Sequence, residues 1–194
     1  MKTYVIIGTG GRSMMFTEAF IKYFKEHVKL LAISDINQGR LNLTARSLKP
    51  AFGDIPYYKA EDFDKMIKIH RPDCVIVTTI DRMHDEYICR SLEAGCDVIT
   101  EKPMTIDEKK CQRIIDTVKK TGRKARVTFN YRYSPPRDGR QVLFASSWSI
   151  NCGSNCGSQS NPQDYVIDGY FNRNGMVSLA DGVDFADEWL ANIL

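Results

Sequence analysis

A chain of 194 residues holds one domain of ordinary size with a small appendage, at roughly 100–200 residues per domain, and excludes two full-sized ones. With 43% hydrophobic and 26% charged residues it has the composition of a globular protein, and no apolar run approaches the ~20 residues that span a bilayer. A formal charge of +3, with no Lys/Arg block and no aromatic RNA motif, makes neither nucleic acid nor a membrane an expected partner.

The first strand is expected at Thr3–Ile7, and directly after it comes the turn Gly8-Thr9-Gly10-Gly11-Arg12-Ser13. An apolar-rich helix follows over Ser13–Glu26, carrying Met15, Phe16, Ala19, Phe20 and Phe24. This is the setting of a dinucleotide fingerprint. The first glycine permits a tight turn, the second lets a pyrophosphate approach the backbone, and the amides at the helix start carry partial positive charge toward it. Ser13 takes the third fingerprint position, where Gly or Ala is usual.

A second strand is expected at Leu30–Ser34, and Asp35 ends it 22 residues after Ser13. That is near the ~20-residue offset at which an acid accepts from the adenosine ribose hydroxyls, which favours NAD over NADP. Asp35 also opens the turn Asp35-Ile36-Asn37, and Arg40 could receive a 2′-phosphate. Strands at Ile55–Tyr58, Cys74–Thr78, Asp97–Thr100 and Arg126–Asn130 then alternate with helices at Gln38–Leu48, Glu61–His70, Asp85–Ala94 and Ile106–Lys120. Strand alternating with helix implies a doubly wound parallel sheet. Thr105-Ile106-Asp107-Glu108 has the pattern of a capping box for the last of these helices.

Six cysteines without a secretory signal read as thiols in a cytoplasmic protein, with Cys74, Cys89 and Cys111 in the core. Cys152 and Cys156 have neither redox nor zinc spacing, and no metal site is expected. His27 and His70 read as helix-end residues. The chain changes character after Pro136: up to Arg137 there are 25 Lys+Arg against 17 Asp+Glu, and from Asp138 onward 2 against 7. A first unit over 1–136 and a polar, acidic remainder over 137–194 are therefore expected, the latter a short and poorly defined extension.

With the strands placed, three further segments become recognisable: Thr78-Thr79 with His84 after the fourth strand, Glu101-Lys102-Pro103 after the fifth, and Asn130-Tyr131-Arg132-Tyr133 after the sixth. Together with the glycine turn they make the first 136 residues resemble the Gfo/Idh/MocA family of oxidoreductases. The resemblance implies a Rossmann unit that binds NAD(P), with the turn residues 8–13, Asp35, Arg40, Thr78, Thr79, His84, Glu101, Lys102 and Asn130 around the cofactor. It also implies that Lys102 hydrogen-bonds the reacting hydroxyl of a sugar or polyol and assists its proton transfer. By the same resemblance His84 lines the nicotinamide side of the cleft; read from the residues alone, it equally opens a helix. The Lys102-Pro103 bond is a candidate for the cis form.

Members of that family carry a second domain with a Gly-x-His-x-x-Asp pattern. The closest local likeness is Gly182-Val183-Asp184-Phe185-Ala186-Asp187, with Asp184 where the histidine would stand, and the helical spacing of Phe185, Trp189, Leu190 and Ile193 is that of an amphipathic terminal helix. The expectation is an NAD(P)-dependent oxidoreductase whose substrate half is truncated or divergent. The alternatives are a non-catalytic NAD-binding remnant of a truncated or frame-shifted gene, and an NAD-assisted glycoside hydrolase.

Overall fold

The computed structural model describes residues 1–128. Within them the strands β1 (Lys2–Ile7), β2 (Val28–Asp35), β3 (Tyr57–Lys59), β4 (Cys74–Val77), β5 (Asp97–Glu101) and β6 (Ala125–Thr128) form one sheet in the order β3-β2-β1-β4-β5-β6. Every neighbouring pair is parallel. The helices α1 (Ser13–Lys22), α2 (Gln38–Phe52), α3 (Phe63–His70), α4 (His84–Glu93) and α5 (Glu108–Thr121) make the crossovers. The expected α/β doubly wound sheet is thus the observed one.

The central strand shows why the sequence folds this way. Tyr4, Val5, Ile6 and Ile7 are all buried, as a strand covered on both faces requires. Alternate side chains go to opposite layers: Tyr4 and Ile6 pack with Phe16, Phe20, Leu41 and Leu48 of α1 and α2, while Val5 and Ile7 pack with residues of α3, α4 and α5 such as Phe63, Met66, Ile88 and Ile114. Each large apolar side chain so buried contributes about 1.5–3 kcal/mol. The winding reverses between β1 and β4, which opens a crevice at their carboxyl ends.

The thiols of Cys74, Cys89 and Cys96 are buried. Desolvation pushes Cys74 up to about 12 and Cys96 up to about 11, so both stay protonated and serve as small apolar groups. Cys111 is only half-buried, a departure from its expected core place, because α5 presents it at the margin of the sheet's cover. Cys152 and Cys156 lie outside the described residues.

Several element ends differ from expectation. The expected capping box at Thr105 does not form: the last helix starts at Glu108, and its cap is Asp107, whose Oδ1 accepts from the Lys110 amide at 2.9 Å. A charged acceptor one position before the helix outcompetes a hydroxyl three positions before it. The first helix ends at Lys22 rather than Glu26, because the amides of Tyr23 and Phe24 both turn to the Ala19 carbonyl and the chain swings into β2 at Val28. His27 therefore abuts a strand and ends no helix, its carbonyl accepting from the Lys2 amide. His70 does end α3, with Nε2 2.9 Å from the Tyr58 hydroxyl.

Candidate functional site

The carboxyl ends of β1, β2, β4 and β5 bring most of the expected site residues to one edge. Gly8 closes β1 with φ +90°, and its amide donates to the Ser34 carbonyl at 2.8 Å. A Cβ at this position would lie 2.6 Å from the Thr78 carbonyl carbon and oxygen and 2.7 Å from the Thr79 nitrogen. Only glycine fits, on both conformational and steric grounds. Gly10 and Gly11 differ from it: neither has positive φ, and a Cβ on either would meet nothing within 4 Å. Their absent side chains leave an open concavity at the start of α1.

Three backbone amides there, those of Gly10, Gly11 and Arg12, donate to no group among the described residues. Free amides at a helix start together with open space above two glycines form a cradle that fits an anionic diphosphate. The residues present fit a dinucleotide. Ser13 explains its own departure from Gly or Ala: it is buried, and its hydroxyl donates to the Gly10 carbonyl at 2.7 Å, tightening the turn from within.

Asp35 is 4% exposed and works on the same turn. Its Oδ2 accepts from the Thr9 amide at 2.6 Å and the Thr9 hydroxyl at 3.1 Å, and its Oδ1 accepts from the Asn37 amide at 2.7 Å. The carboxylate thus both opens the Asp35-Ile36-Asn37 turn and braces the glycine loop. Asn37 caps α2 by accepting from the Arg40 amide at 3.1 Å, which leaves the exposed Arg40 side chain at the same corner.

On the other side of β1, Thr78 is buried and its hydroxyl donates to the Gly8 carbonyl at 2.5 Å. Thr79 follows at the mouth of the crevice. His84 has no exposed surface; its Nδ1 stands 2.8 Å from the Pro103 carbonyl oxygen and its Nε2 3.1 Å from that of Thr79. The Lys102-Pro103 peptide is cis. Glu101 is 2% exposed: its carboxylate accepts from the Thr128 hydroxyl at 2.9 Å and the Lys102 amide at 3.2 Å, and lies 3.6 Å from the Arg12 guanidinium. Lys102 itself is exposed, and its amine makes no hydrogen bond or ion pair among the described residues. A buried anion holds the loop while its neighbour's cation reaches solvent.

Sequence reasoning missed three contributors. Ile36 and Ile80 stand 79% and 55% exposed on the loops after β2 and β4, flanking the glycine turn with apolar surface. Their signal was position, since each is an isoleucine just beyond a strand end where burial is over. Asp85, 6% exposed on its side chain, accepts from Lys110 Nζ at 2.7 Å and lies 3.5 Å from Arg113, fastening α4 to α5. Asn130 and Asp184 lie outside the described residues. So do Tyr131 to Tyr133. Among the described residues there is no group of His, Cys, Asp and Glu that could hold a metal, and no helix long and apolar enough to cross a membrane.

A separate concavity of about 900 Å³, lined by Lys2, Pro72, Asp73, Cys96, Asp97 and Arg123 among others, opens at the amino ends of the strands. Asp73 there accepts from the Thr3 amide and hydroxyl, and Asp97 from the Lys124 amide. These two acids already accept from backbone groups beside them, so the glycine-turn edge is the better site.

Comparison with known proteins bears on this edge. The profile described as "Oxidoreductase family, NAD-binding Rossmann fold", that of Gfo/Idh/MocA, matches residues 2–129. The putative oxidoreductase YteT of Bacillus subtilis is 34% identical over 136 residues, which cover 70% of this chain and 32% of that protein. Inositol 2-dehydrogenase of Klebsiella pneumoniae (strain 342) is 31% identical over 110 residues, covering 52% of this chain and 31% of that one. The chain spans about a third of the length of these relatives. In fold it is similar to the WlbA (WbpB) dehydrogenase from Thermus thermophilus, solved in complex with NAD and UDP-GlcNAcA, with TM-score 0.61, 18% identity, and coverage of 78% of this chain and 47% of that one.

Proposed function

Because the chain belongs to the Gfo/Idh/MocA family of oxidoreductases with an NAD-binding Rossmann fold, we propose that it binds NAD at the glycine-turn edge and serves hydride transfer to or from a secondary alcohol of a sugar or polyol. The observation that carries the proposal is the cradle itself: three undirected amides under the open space above Gly10 and Gly11, with a carboxylate bracing the turn. In this reading residues 1–136 are the cofactor unit, and 137–194 belong to the substrate side.

When bound, the nicotinamide supplies the hydride chemistry. The amides of Gly10, Gly11 and Arg12 hold the pyrophosphate, aided by the Arg12 guanidinium. Asp35 takes an adenosine ribose hydroxyl with the lone pair left free on Oδ1 and repels a 2′-phosphate, so NAD is preferred over NADP even with Arg40 nearby. Ile36 and Ile80 offer apolar surface to the adenine. Thr78 and Thr79 floor the turn toward the nicotinamide. Lys102 extends its amine to the reacting hydroxyl, where it orients the oxygen, stabilises developing negative charge and passes the proton on. Relatedness to an inositol 2-dehydrogenase supports a ring polyol or sugar as the substrate class.

Calorimetric titration of the full chain with NAD tests the central claim. Saturable binding is expected, and its absence from a folded sample would overturn the proposal. Asp35→Ala is expected to weaken NAD by about tenfold or more, the effect of losing a charge-assisted hydrogen bond, and NADP by clearly less. Equal losses would remove the role given to Asp35.

A second reading, NAD binding without turnover, is favoured by one observation: the Lys102 amine has no hydrogen-bond or ion-pair partner among the described residues. A protonated lysine is a poor base near neutral pH, so hydride transfer ordinarily needs another proton acceptor beside it. A screen of sugars and polyols with NAD and NADP separates the two readings. Turnover that Lys102→Ala lowers by about 10²–10⁴-fold supports the oxidoreductase reading, and binding with no turnover supports the second.

A further inference from the structure

Two loops border the crevice beyond the glycine turn, residues 78–83 after β4 and 102–107 after β5. His84, fully buried between them, directs one ring nitrogen at each: Nδ1 at the Pro103 carbonyl, 2.8 Å, and Nε2 at the Thr79 carbonyl, 3.1 Å. Both partners are acceptors only, so each ring nitrogen can engage its partner only through an N–H: one carbonyl in either neutral tautomer, both when the ring carries two N–H groups. The Thr79 end reaches the cofactor turn directly, since the Thr78–Thr79 peptide is what a Cβ on Gly8 would strike, and the Thr78 hydroxyl donates to the Gly8 carbonyl. The Pro103 end adjoins Lys102. An unbroken series of short contacts therefore runs from Gly8 through Thr78, Thr79, His84 and Pro103 to Lys102.

The same segment is fastened a second time. Lys110 Nζ, from α5, donates to the Arg82 carbonyl at 2.6 Å and to Asp85 Oδ1 at 2.7 Å, on either side of His84. The backbone that carries the ring is thus tied to α5 on both sides of it.

We propose that His84 is a positioning residue that clasps the Thr79 loop to the Lys102–Pro103 loop, so that cofactor occupancy of the turn sets the placement of the Lys102 amine. The functional meaning rests on the reading of NAD and Lys102 given above; the clasp itself does not.

The test is hydrogen exchange by mass spectrometry on the full chain, with and without NAD, in the wild type, His84→Leu and His84→Gln. Leucine fills the site without donors, whereas the glutamine amide supplies N–H donors again. In the wild type NAD is expected to slow exchange both in residues 8–13 and in residues 102–106. In His84→Leu it slows the first segment only, and affinity for NAD falls by about tenfold, the worth of one buried hydrogen bond. His84→Gln returns both readouts to within about threefold of wild type. A folded His84→Leu chain that couples the two segments as the wild type does overturns the clasp. If the leucine chain does not fold, His84→Asn, too short to span both carbonyls, takes its place under the same criteria. If the wild type binds no NAD, the functional reading has failed separately. The cofactor-free comparison then decides: exchange in residues 102–106 about tenfold faster without the donors supports the clasp, and unchanged exchange overturns it.

Discussion

Gly8→Ala is expected to destabilise the chain by about 2–5 kcal/mol, whatever its effect on cofactor. Two independent costs add. An alanine must hold a backbone with φ +90°, which costs an L-residue roughly 1–2 kcal/mol, and its Cβ would sit 2.6 Å from the Thr78 carbonyl. The obstacle is backbone at the centre of the sheet, where β1 and β4 are hydrogen-bonded and neither can retreat alone. Overpacking of this kind typically costs about 1–3 kcal/mol. Since a domain has only about 5–15 kcal/mol in all, thermal or urea unfolding will show a large drop in midpoint. A midpoint within a degree of wild type would mean that the turn relaxes and that the close approach of Gly8 to Thr78 is not a requirement of the fold.

Gly10→Val should do the opposite, leaving the unfolding midpoint nearly unchanged while reducing NAD affinity by about 100-fold or more, roughly 2.7 kcal/mol. The fold has no stake in a bare α-carbon here, because φ is ordinary and nothing lies within 4 Å of the added Cβ. A branched side chain would nevertheless fill the space over the free amides of Gly10, Gly11 and Arg12, where a pyrophosphate must come to the backbone. The pair of variants separates two uses of glycine in one turn. Unfolding curves and calorimetric titrations on both chains check the separation. A Gly10→Val chain that binds NAD like the wild type would place the cofactor elsewhere.

The contrast also marks what could be read from the sequence. The order of strands and helices was legible because each strand is a short apolar run and each helix a longer amphipathic one, and parallel connection leaves few ways to wind them. The spacing of Gly8, Gly10 and Asp35 predicts one turn beside one acid, and the structure brings them to the same edge; their role toward a cofactor belongs to the proposed function. Element ends were less legible: both Thr105 and Asp107 are able caps, and only the path of the loop after Pro103 decides that Asp107 holds the Lys110 amide. Glu101 was legible as part of a motif but not as the anion that joins β5, β6 and Arg12, since Thr128 and Arg12 are remote from it in sequence and meet it only once the sheet is assembled. His84 was open between helix start and cleft lining. The structure puts it at the helix start, buried on two carbonyls that no local pattern connects.

The bracing of Thr9 by Asp35 bears on how such a protein could change its cofactor. Replacing an acid at the end of β2 with a neutral or basic residue is the obvious way to admit a 2′-phosphate. Here the same carboxylate accepts from the Thr9 amide and hydroxyl and from the Asn37 amide. Removing it strips acceptors from the glycine turn and, on the proposed reading, would at the same moment remove repulsion at the ribose. On the proposed NAD-binding reading, selectivity and affinity would therefore be inherited as one trait. A lineage moving toward the phosphorylated cofactor would have to supply a new acceptor for Thr9 first, or pass through a form that holds neither dinucleotide well.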